Sequence, residues 1–447
     1  MNPEPTLSTY RMKAILKLAL PIMAGMGSQN LLNLVDTAMV GRLGTVSLAA
    51  VGIASIVIWV MTSIIQGISP AVQATTARRL GEKSTSRLHE AIVNAIYLVV
   101  ILGIPYSLLL LYLSPHMFEL LTSDPEVAKV GLEYLDIRLY TVVIIGLNFC
   151  FRGFFNGRKM SILYMQTLLL MHPINIVLNY VLIFGKFGLP ALEAKGAALG
   201  TAIATTLGTL NYIRLLIKYK NPGFSLKPSV ISRKILVTLF KIATPSCMQT
   251  LTLSMGFLLF FRIAEMISTE ALAATNVLVN LSLVCILISM GLGLATITLV
   301  GNALGEGHPE EAKKWVKGVL FIGCTAMGFI GCLLALWPRL WLSVFMVDPD
   351  TIKIAIIPLI LLGLSQSFDA AGMILSHAHL GGGDSRSVMW ISFVNQWLFF
   401  LPLCFIWVHF FEGQLLHIWI VMVLYRLLLF LSFAWSYRSG RWLTLAI

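Results

Sequence analysis

The feature that most constrains this chain is a series of twelve long apolar stretches joined by short polar connections. A helix needs about 20 mostly apolar residues to cross a bilayer, and every stretch reaches that length. The 447 residues are 57% hydrophobic and 12% charged, whereas soluble domains are about 25% charged. The sequence therefore predicts an all-α integral membrane protein with twelve transmembrane helices, at residues 13–39, 47–77, 88–113, 131–155, 161–184, 193–217, 235–261, 268–299, 312–337, 351–378, 386–410 and 414–437.

The positive charge of the chain follows the predicted topology. The formal net charge is +12, which by itself would suggest a nucleic-acid partner. With both termini in the cytoplasm, however, most Lys and Arg residues fall on the cytoplasmic side, as the positive-inside rule requires. We therefore expect no nucleic-acid partner. We interpret the basic segment 218–234 as a loop whose positive charge sets the orientation of the chain in the membrane and that also contacts anionic membrane lipids.

The chain consists of two related halves. A constant shift of 224 residues aligns KLALP (17–21) with KIATP (241–245) and RRLGE (78–82) with NALGE (302–306). The same shift aligns two helix starts with Asp followed by Pro, and Gly81 and Gly305 suit helix C-caps. The aligned helix starts are Asp124-Pro125 and Asp348-Pro349.

The duplication predicts two pseudo-symmetric six-helix bundles. We assign residues 1–217 to an N-lobe, 218–234 to a cytoplasmic linker and 235–447 to a C-lobe. Repeats of this kind are related by an axis along the membrane normal, and their substrate sites lie between them. The organisation favours a transporter that works by alternating access; a channel is the alternative.

Two acidic residues lie well inside predicted spans, Asp36 in the first and Asp369 in the tenth. An ionisable residue at such a position is a functional-site hypothesis by default. A structural hydrogen bond is the simpler reading of each. Burial disfavours the charged form of a carboxyl group, so such an acid can bind and release a proton as its exposure to water changes.

Amide side chains accompany Asp36. Gln29 and Asn33 precede it with i, i+4, i+7 spacing and share its helix face, and the fifth span carries Asn175 and Asn179 on one face. Amide groups can donate hydrogen bonds to a carboxylate without bringing a positive charge. We predict these amides as hydrogen-bond partners of the coupling site; amides that only hold helices together are the alternative.

Pro21 lies in the same span as Asp36, and Pro245 occupies the matching place in the seventh span. A proline inside a helix removes a backbone hydrogen bond and permits a kink. A kink in the helix that carries the titratable group predicts a hinge at Pro21.

Several segments resemble the multidrug and toxic compound extrusion (MATE) family, in particular its DinF-like bacterial branch. The similarity covers essentially the whole chain. The segments are LALPIMAGMGSQNLLNLVDTAMVGRLG (18–44), INIVLNYVLIFG (174–185), GAALGTAIAT (196–205) and FDAAGMILSHAHLGGGDSRS (368–387).

The resemblance implies a twelve-helix antiporter of the MOP superfamily in the bacterial inner membrane. It implies export of small-molecule drugs and organic cations, often amphipathic, in exchange for H⁺ or Na⁺, and we expect the chain to act as a monomer without a cofactor. In the family pattern Asp36 matches the proton-coupling acid and Pro21 the point of bending. Asn175 and Thr201 match polar partners of that acid.

Two departures from the family pattern concern the coupling ion. A second aspartate often found in the family is Asn179 here. The NorM-like branch has an acid in the seventh helix, whereas the segment PSCMQTLTLS (245–254) contains only Gln249 as a longer polar residue. We retain Asp369 and Gln249 as a candidate second cation or substrate site. One carboxylate among amides favours H⁺ as the coupling ion, with Na⁺ as the alternative.

Two other functions remain as alternatives. An intramembrane enzyme is disfavoured because the sequence contains neither DDxxD nor HExxH, and we predict no catalytic residue and no metal ligand. A lipid or oligosaccharide flippase of the same superfamily typically needs a strongly cationic cleft, whereas most of the deep charges predicted here are acidic.

Overall fold

A computed structural model describes residues 9–84, 87–220, 231–411 and 413–445. Within these ranges the regular structure is helical, and no β-strand occurs. The all-α prediction is therefore confirmed. Most of the predicted linker 218–234, from residue 221 to 230, lies outside the described residues.

Eight helices make up the first half of the chain. The second predicted span is divided at Gly67, and the fourth is bent by 48° at Thr141. The other spans are single helices. The helices are α1 (Thr9–Gly41), α2 (Thr45–Gln66), α3 (Ile68–Gly81), α4 (Glu90–Leu121), α5 (Pro125–Tyr140), α6 (Val142–Gly157), α7 (Ser161–Phe184) and α8 (Glu193–Lys218).

The second half is built in the same way, with one π-helical turn. Residues Val394–Phe400 form this turn between two α-helices of the eleventh span, and a short 3₁₀ turn (Arg441–Leu443) follows the last helix. The helices are α9 (Arg233–Glu265), α10 (Thr269–Gly305), α11 (Pro309–Leu336), α12 (Pro338–Ser343), α13 (Pro349–Gly381), α14 (Ser385–Phe393), α15 (Leu401–Phe410) and α16 (Leu415–Arg438).

Each predicted span corresponds to a helix or a pair of helices. Among the described residues, nine helical segments are long and apolar enough to cross a membrane, or ten if α5 and α6 form one bent span. The remaining two predicted spans are α1 and α8, which are helical throughout but less apolar. The chain is a multi-pass membrane protein, and α1 and α8 carry several of its polar site residues.

By packing, the chain divides into two compact units. Unit 1 contains the described residues within 1–23 and 248–447, and unit 2 contains those within 24–247. The chain changes unit within α1, after Met23, and within α9, after Cys247. Each change comes two residues after a proline, Pro21 or Pro245. The packing units thus differ from the predicted lobes in residues 1–23 and 235–247, and the lobes as moving bodies stay a prediction.

The first segment of α1 is fixed in unit 1 by apolar and charged contacts. Ile15 and Leu18 belong to a buried cluster with residues of α10, α11 and α13. The guanidinium of Arg11 donates to the Glu311 carboxylate at 2.7 Å and lies 5.1 Å above the Trp315 ring.

Each unit contains a large buried apolar cluster. The larger cluster of unit 1 surrounds Phe260, Leu278, Leu359 and Trp419, and that of unit 2 surrounds Phe118. Outside these clusters many exposed side chains are also large and apolar, as expected for helices that span a membrane.

The helix ends agree with the predicted signals at two positions and differ at two others. Asp124 accepts from the backbone N–H groups of Glu126 and Val127 at the start of α5, and Asp348 caps α13 in the same way. Gly81 and Gly305, predicted as C-caps, are instead the last helical residues, and the left-handed positions follow at Lys83 and Gly307. The predicted C-caps are wrong because each helix includes its glycine, and the C-cap is the next residue, Glu82 or Glu306.

Candidate functional site

Asp36 lies in the second part of α1, half-buried within unit 2. Its Oδ1 accepts a hydrogen bond of 2.8 Å from Nδ2 of Asn179 in α7. Asn175, one turn earlier in α7, is within hydrogen-bonding distance of Asn179, and both amides are buried. The structure thus brings together Asp36 and the two asparagines predicted from their spacing.

The side-chain amide of Asn175 can form hydrogen bonds in two orientations, which differ by exchange of its oxygen and nitrogen atoms. In one, its Oδ1 accepts from Asn179 Nδ2 at 3.1 Å. In the other, its Nδ2 donates to Asp36 Oδ1 at 3.2 Å, and its Oδ1 accepts from both the backbone N–H and the hydroxyl of Thr201 at 3.2 Å. The second orientation gives both ends of the amide suitable partners beside an ionised carboxylate, and it joins Thr201 of α8 to the site.

A glycine in α8 makes room for this arrangement. A Cβ built on Gly200 would overlap Oδ1 of Asn179 and would approach the Asn179 backbone nitrogen to 3.1 Å. Any larger residue at this position would have to displace the amide that holds Asp36. The segment GAALGTAIAT therefore contributes close packing at Gly200 as well as the hydrogen bonds of Thr201.

Gln29 and Asn33 form a separate network. Gln29 Nε2 donates to Asn33 Oδ1 at 3.3 Å, and Gln29 Oε1 lies 3.2 Å from Nε2 of the buried His172. In the described part of the chain, neither Gln29 nor Asn33 is hydrogen-bonded to Asp36. Their position on the same helix face as Asp36 led us to predict them as partners of the acid, but they form hydrogen bonds elsewhere. His172 was missed as a partner because it lies on another helix.

Helix α5 brings two further residues close to the acid. Arg138 and the buried Tyr134 are within electrostatic range of Asp36. No Lys or Arg nitrogen in the described ranges lies within 4 Å of the Asp36 carboxylate. The acid is therefore contacted by neutral amides, and the Arg138 guanidinium lies at longer range.

Pro21 does not interrupt α1, which is one helix from Thr9 to Gly41. The residue lies in the part of α1 that belongs to unit 1, whereas Asp36 lies in the part that belongs to unit 2. Because proline has no N–H, the Lys17 carbonyl lacks its usual helical donor. The helix is weakened at this point although it is continuous.

The second predicted site is not assembled as one group. Oδ1 of Asp369 lies 3.8 Å from Nε of Arg426 in α16, whereas Nε2 of Gln249 donates to the Ser392 hydroxyl at 3.2 Å. Asp369 and Gln249 share no hydrogen bond in the described residues. The same residues contain no group of three or more His, Cys, Asp or Glu side chains placed to hold a metal ion.

Chemically, the Asp36 site offers a carboxyl group that can be ionised or protonated while its uncharged neighbours change hydrogen-bond direction. Amide groups can accept or donate, so either protonation state can be satisfied. Such a site can carry a proton, and it offers few oxygen ligands to a metal cation.

Known proteins resemble this chain along most of its length. A probable multidrug resistance protein NorM from Thermotoga maritima is 27% identical over 447 residues, covering 96% of this chain and 94% of the relative. A crystal structure of a MATE protein in the bent conformation superposes with a TM-score of 0.89 at 22% identity, covering 96% of this chain and 95% of the other. At that identity the likeness shows the fold.

A second solved structure has the same fold. It is a MOP superfamily transporter from Pyrococcus furiosus, described as having a binding pocket of reversed polarity that suggests a different function. It superposes with a TM-score of 0.89 at 22% identity, covering 98% of this chain and 97% of that one. The MATE-like fold predicted from the sequence is confirmed.

The family model called MatE matches two segments, residues 21–181 and 245–406. These segments start with the same shift of 224 residues that aligns the two halves of the sequence, so the model recognises the duplicated unit twice. Together they cover well over half of the chain. The chain therefore belongs to the MatE family of transporters.

Proposed function

We propose that this protein is an H⁺-coupled antiporter that exports amphipathic, often cationic compounds across the bacterial inner membrane by alternating access. Two relatives that match 96% and 88% of the chain are named as probable multidrug resistance proteins, which supports small-molecule drugs as substrates. The coupling proton binds to Asp36.

The observation that carries this proposal is the contact between Asp36 and two uncharged amides. An ionised carboxylate can only accept hydrogen bonds, and Asn179 and Asn175 can both donate to its Oδ1. A protonated Asp36 can itself donate, and in the other orientation the Asn175 oxygen is an acceptor. A reorientation of one amide thus accompanies gain or loss of the proton.

The same contacts favour H⁺ over Na⁺. The groups that face Oδ1 of Asp36 in the ionised state are N–H donors, whereas a dehydrated cation needs several oxygen ligands. Rotating both asparagines to offer oxygens would remove the hydrogen bonds that hold the carboxylate.

Pro21 supports the conformational step. The missing helical hydrogen bond lies two residues before the point where α1 passes from unit 1 to unit 2. In our proposal the helix bends there when the protonation state of Asp36 changes. Because α1 carries both residues, a change at the acid acts on the helix in which the bend occurs.

The driving force is sufficient for this exchange. A proton moving inward releases about 2.3 kcal/mol per 100 mV and about 1.4 kcal/mol per pH unit. A neutral compound exchanged for one proton can use both contributions. A monovalent cation exchanged one-for-one can use only the pH difference, because no net charge crosses the membrane.

Dye transport in proteoliposomes with independently imposed pH and Na⁺ gradients tests the proposal. We expect transport to follow the pH gradient, to collapse with a protonophore and to ignore Na⁺. The variant that removes the coupling acid is Asp36→Asn. Its matched control is Asp136→Asn, since Asp136 is also a hydrogen-bonded aspartate of unit 2, paired with Ser114 at 2.9 Å. Transport driven by Na⁺ at constant pH would favour the alternative ion, and transport of lipid but no dye would favour a flippase.

A further inference from the structure

Unit 1 contains an ion pair inside its helical bundle. Asp369 of α13 and Arg426 of α16 approach to 3.8 Å between Oδ1 and Nε, and their side chains are 18% and 7% exposed. Both residues lie well within helices whose length and composition suit membrane spans. Unpaired charges at such depth are costly, so the two charges balance each other.

The pair is loose, and its two members are held differently. A distance of 3.8 Å is longer than a hydrogen bond between nitrogen and oxygen. The Nη1 group of Arg426 instead donates to the hydroxyl of the buried Ser365 at 3.1 Å. Among the described residues no hydrogen bond to the Asp369 carboxylate occurs. The arginine is anchored beside the acid, while the more exposed carboxylate keeps its acceptor positions open.

The surroundings add no second positive charge. Cys285 and Tyr425 are within electrostatic range of both Asp369 and Arg426, but neither is a cation. In the described ranges, Arg426 is the Lys or Arg residue that lies within 4 Å of this acid. Without the Arg426 charge, an ionised Asp369 would have no Lys or Arg nitrogen within 4 Å among the described residues.

We propose that Arg426 is a built-in cation for Asp369, so that the acid accepts an amphipathic organic monocation only when the arginine is absent. Arg426 is then a specificity-determining residue that lowers the preference of unit 1 for positively charged compounds. The effect of Arg426 on the choice of transported compounds rests on the proposed function. The charge balance between Arg426 and Asp369 can be measured on the purified protein without transport.

A simpler reading is an ion pair that only joins α13 to α16. Both readings predict that removing one charge lowers the thermal stability of the protein. They differ in the response to an added cation. A built-in cation predicts that the variant without Arg426 gains affinity for a monocation and that this gain depends on Asp369.

The experiment is equilibrium binding of tetraphenylphosphonium to the full-length protein in detergent. We compare wild type, Arg426→Gln, Asp369→Asn and the double variant, with Glu133→Gln as the control, since Glu133 pairs with Lys195 in an exposed ion pair. We expect Arg426→Gln to bind about tenfold more tightly or better, the double variant to return to the wild-type value, and Asp369→Asn to change affinity less than twofold.

Two results would overturn the inference. Unchanged binding by Arg426→Gln would show that the pair is structural only. A weakened affinity in Asp369→Asn would show that the acid already binds cations beside Arg426, and this result would overturn the inference even if Arg426→Gln does not fold. If wild type binds no tetraphenylphosphonium, the proposed cationic substrates are wrong, but an Asp369-dependent gain in Arg426→Gln would still support the built-in cation.

Discussion

Asn179 in α7 donates a hydrogen bond of 2.8 Å to Asp36 in α1, so the acid of one helix is held by an uncharged amide of another. An arginine at this place would fix the carboxylate in its charged form. An amide stabilises the carboxylate less strongly and can also accept a hydrogen bond from a carboxyl group. In the proposed mechanism, the protonation of Asp36 is thereby linked to the contact between α1 and α7.

Gly200→Ala tests this link without changing the acid. The added methyl group would displace Asn179, and loss of a hydrogen bond to a charged group costs about 1.5–3 kcal/mol. We expect dye transport in proteoliposomes to fall about tenfold or more. The control is Gly208→Ala in the same helix, whose Cβ would meet the flexible side chain of Met171, with Sδ nearest at 2.8 Å. Equal losses in both variants would argue against a role for the Asn179 position.

Thr201→Val tests the second layer of the site. The change removes a hydroxyl that can donate either to Asn175 Oδ1 at 3.2 Å or to the Ala197 carbonyl at 2.9 Å, but it keeps the backbone N–H that donates to Asn175 Oδ1. A neutral hydrogen bond contributes about 0.5–1.5 kcal/mol, so we expect transport rates to fall about two- to tenfold. Thr205→Val is the control, because its hydroxyl donates only to the Thr201 carbonyl. A wild-type rate for Thr201→Val would remove this hydroxyl from the mechanism.

Pro21→Ala tests the hinge. Alanine would restore the N–H group that can bond to the Lys17 carbonyl, so we expect an equally or more stable protein with a severalfold lower transport turnover. Thermal unfolding and initial transport rates measure the two effects separately. Pro105→Ala, inside α4, is the control for removing a proline from a helix. Unchanged turnover in Pro21→Ala would contradict a hinge at this residue.

Asp348 gives a prediction at the protein surface that is independent of transport. Hydrogen bonds from the side chain and the backbone N–H of Thr351 hold the pKa of Asp348 below its ordinary value. A lowered folded-state pKa means that the cap contributes stability above the unfolded value of about 3.9 and loses it as the pH falls through the folded value. Thermal unfolding from pH 7 downward measures this change.

The Asp348→Asn variant separates cap geometry from charge. Asparagine is also a good N-cap but does not titrate, so its stability should lack the contribution that wild type loses in acid. Wild type should therefore lose stability relative to this variant below about pH 4. Parallel curves for the two proteins at all pH values would show that the Asp348 charge contributes nothing to the cap.

Local sequence signals were sufficient to predict most of the fold. Apolar stretches of bilayer length predicted the helices, and Asp-Pro pairs predicted the starts of α5 and α13 because these signals are local. The break at Gly67 could not be predicted in this way. A Cβ on this glycine would collide with the backbone at Ser246 and Cys247 of α9, a contact between segments far apart in the sequence.

The site was predictable where its members repeat on one helix. The spacing of Asn175 and Asn179 placed both amides toward one neighbour, and Asp36 is that neighbour. The partners of Gln29 and Asp369 were not predictable, since His172 and Arg426 come from distant helices whose rotation is set by packing. The residues that share one helix face can therefore be predicted from the sequence. Their partners on other helices depend on the tertiary structure.

The most direct test of the account counts protons released when substrate binds. Purified protein in weakly buffered detergent solution is mixed with tetraphenylphosphonium, and the pH change gives the number of protons released per bound ligand. At a pH where Asp36 is partly protonated, we predict release by wild type and by Asp136→Asn, and none by Asp36→Asn that still binds the ligand. The same release from Asp36→Asn would contradict the claim that Asp36 carries the exchanged proton.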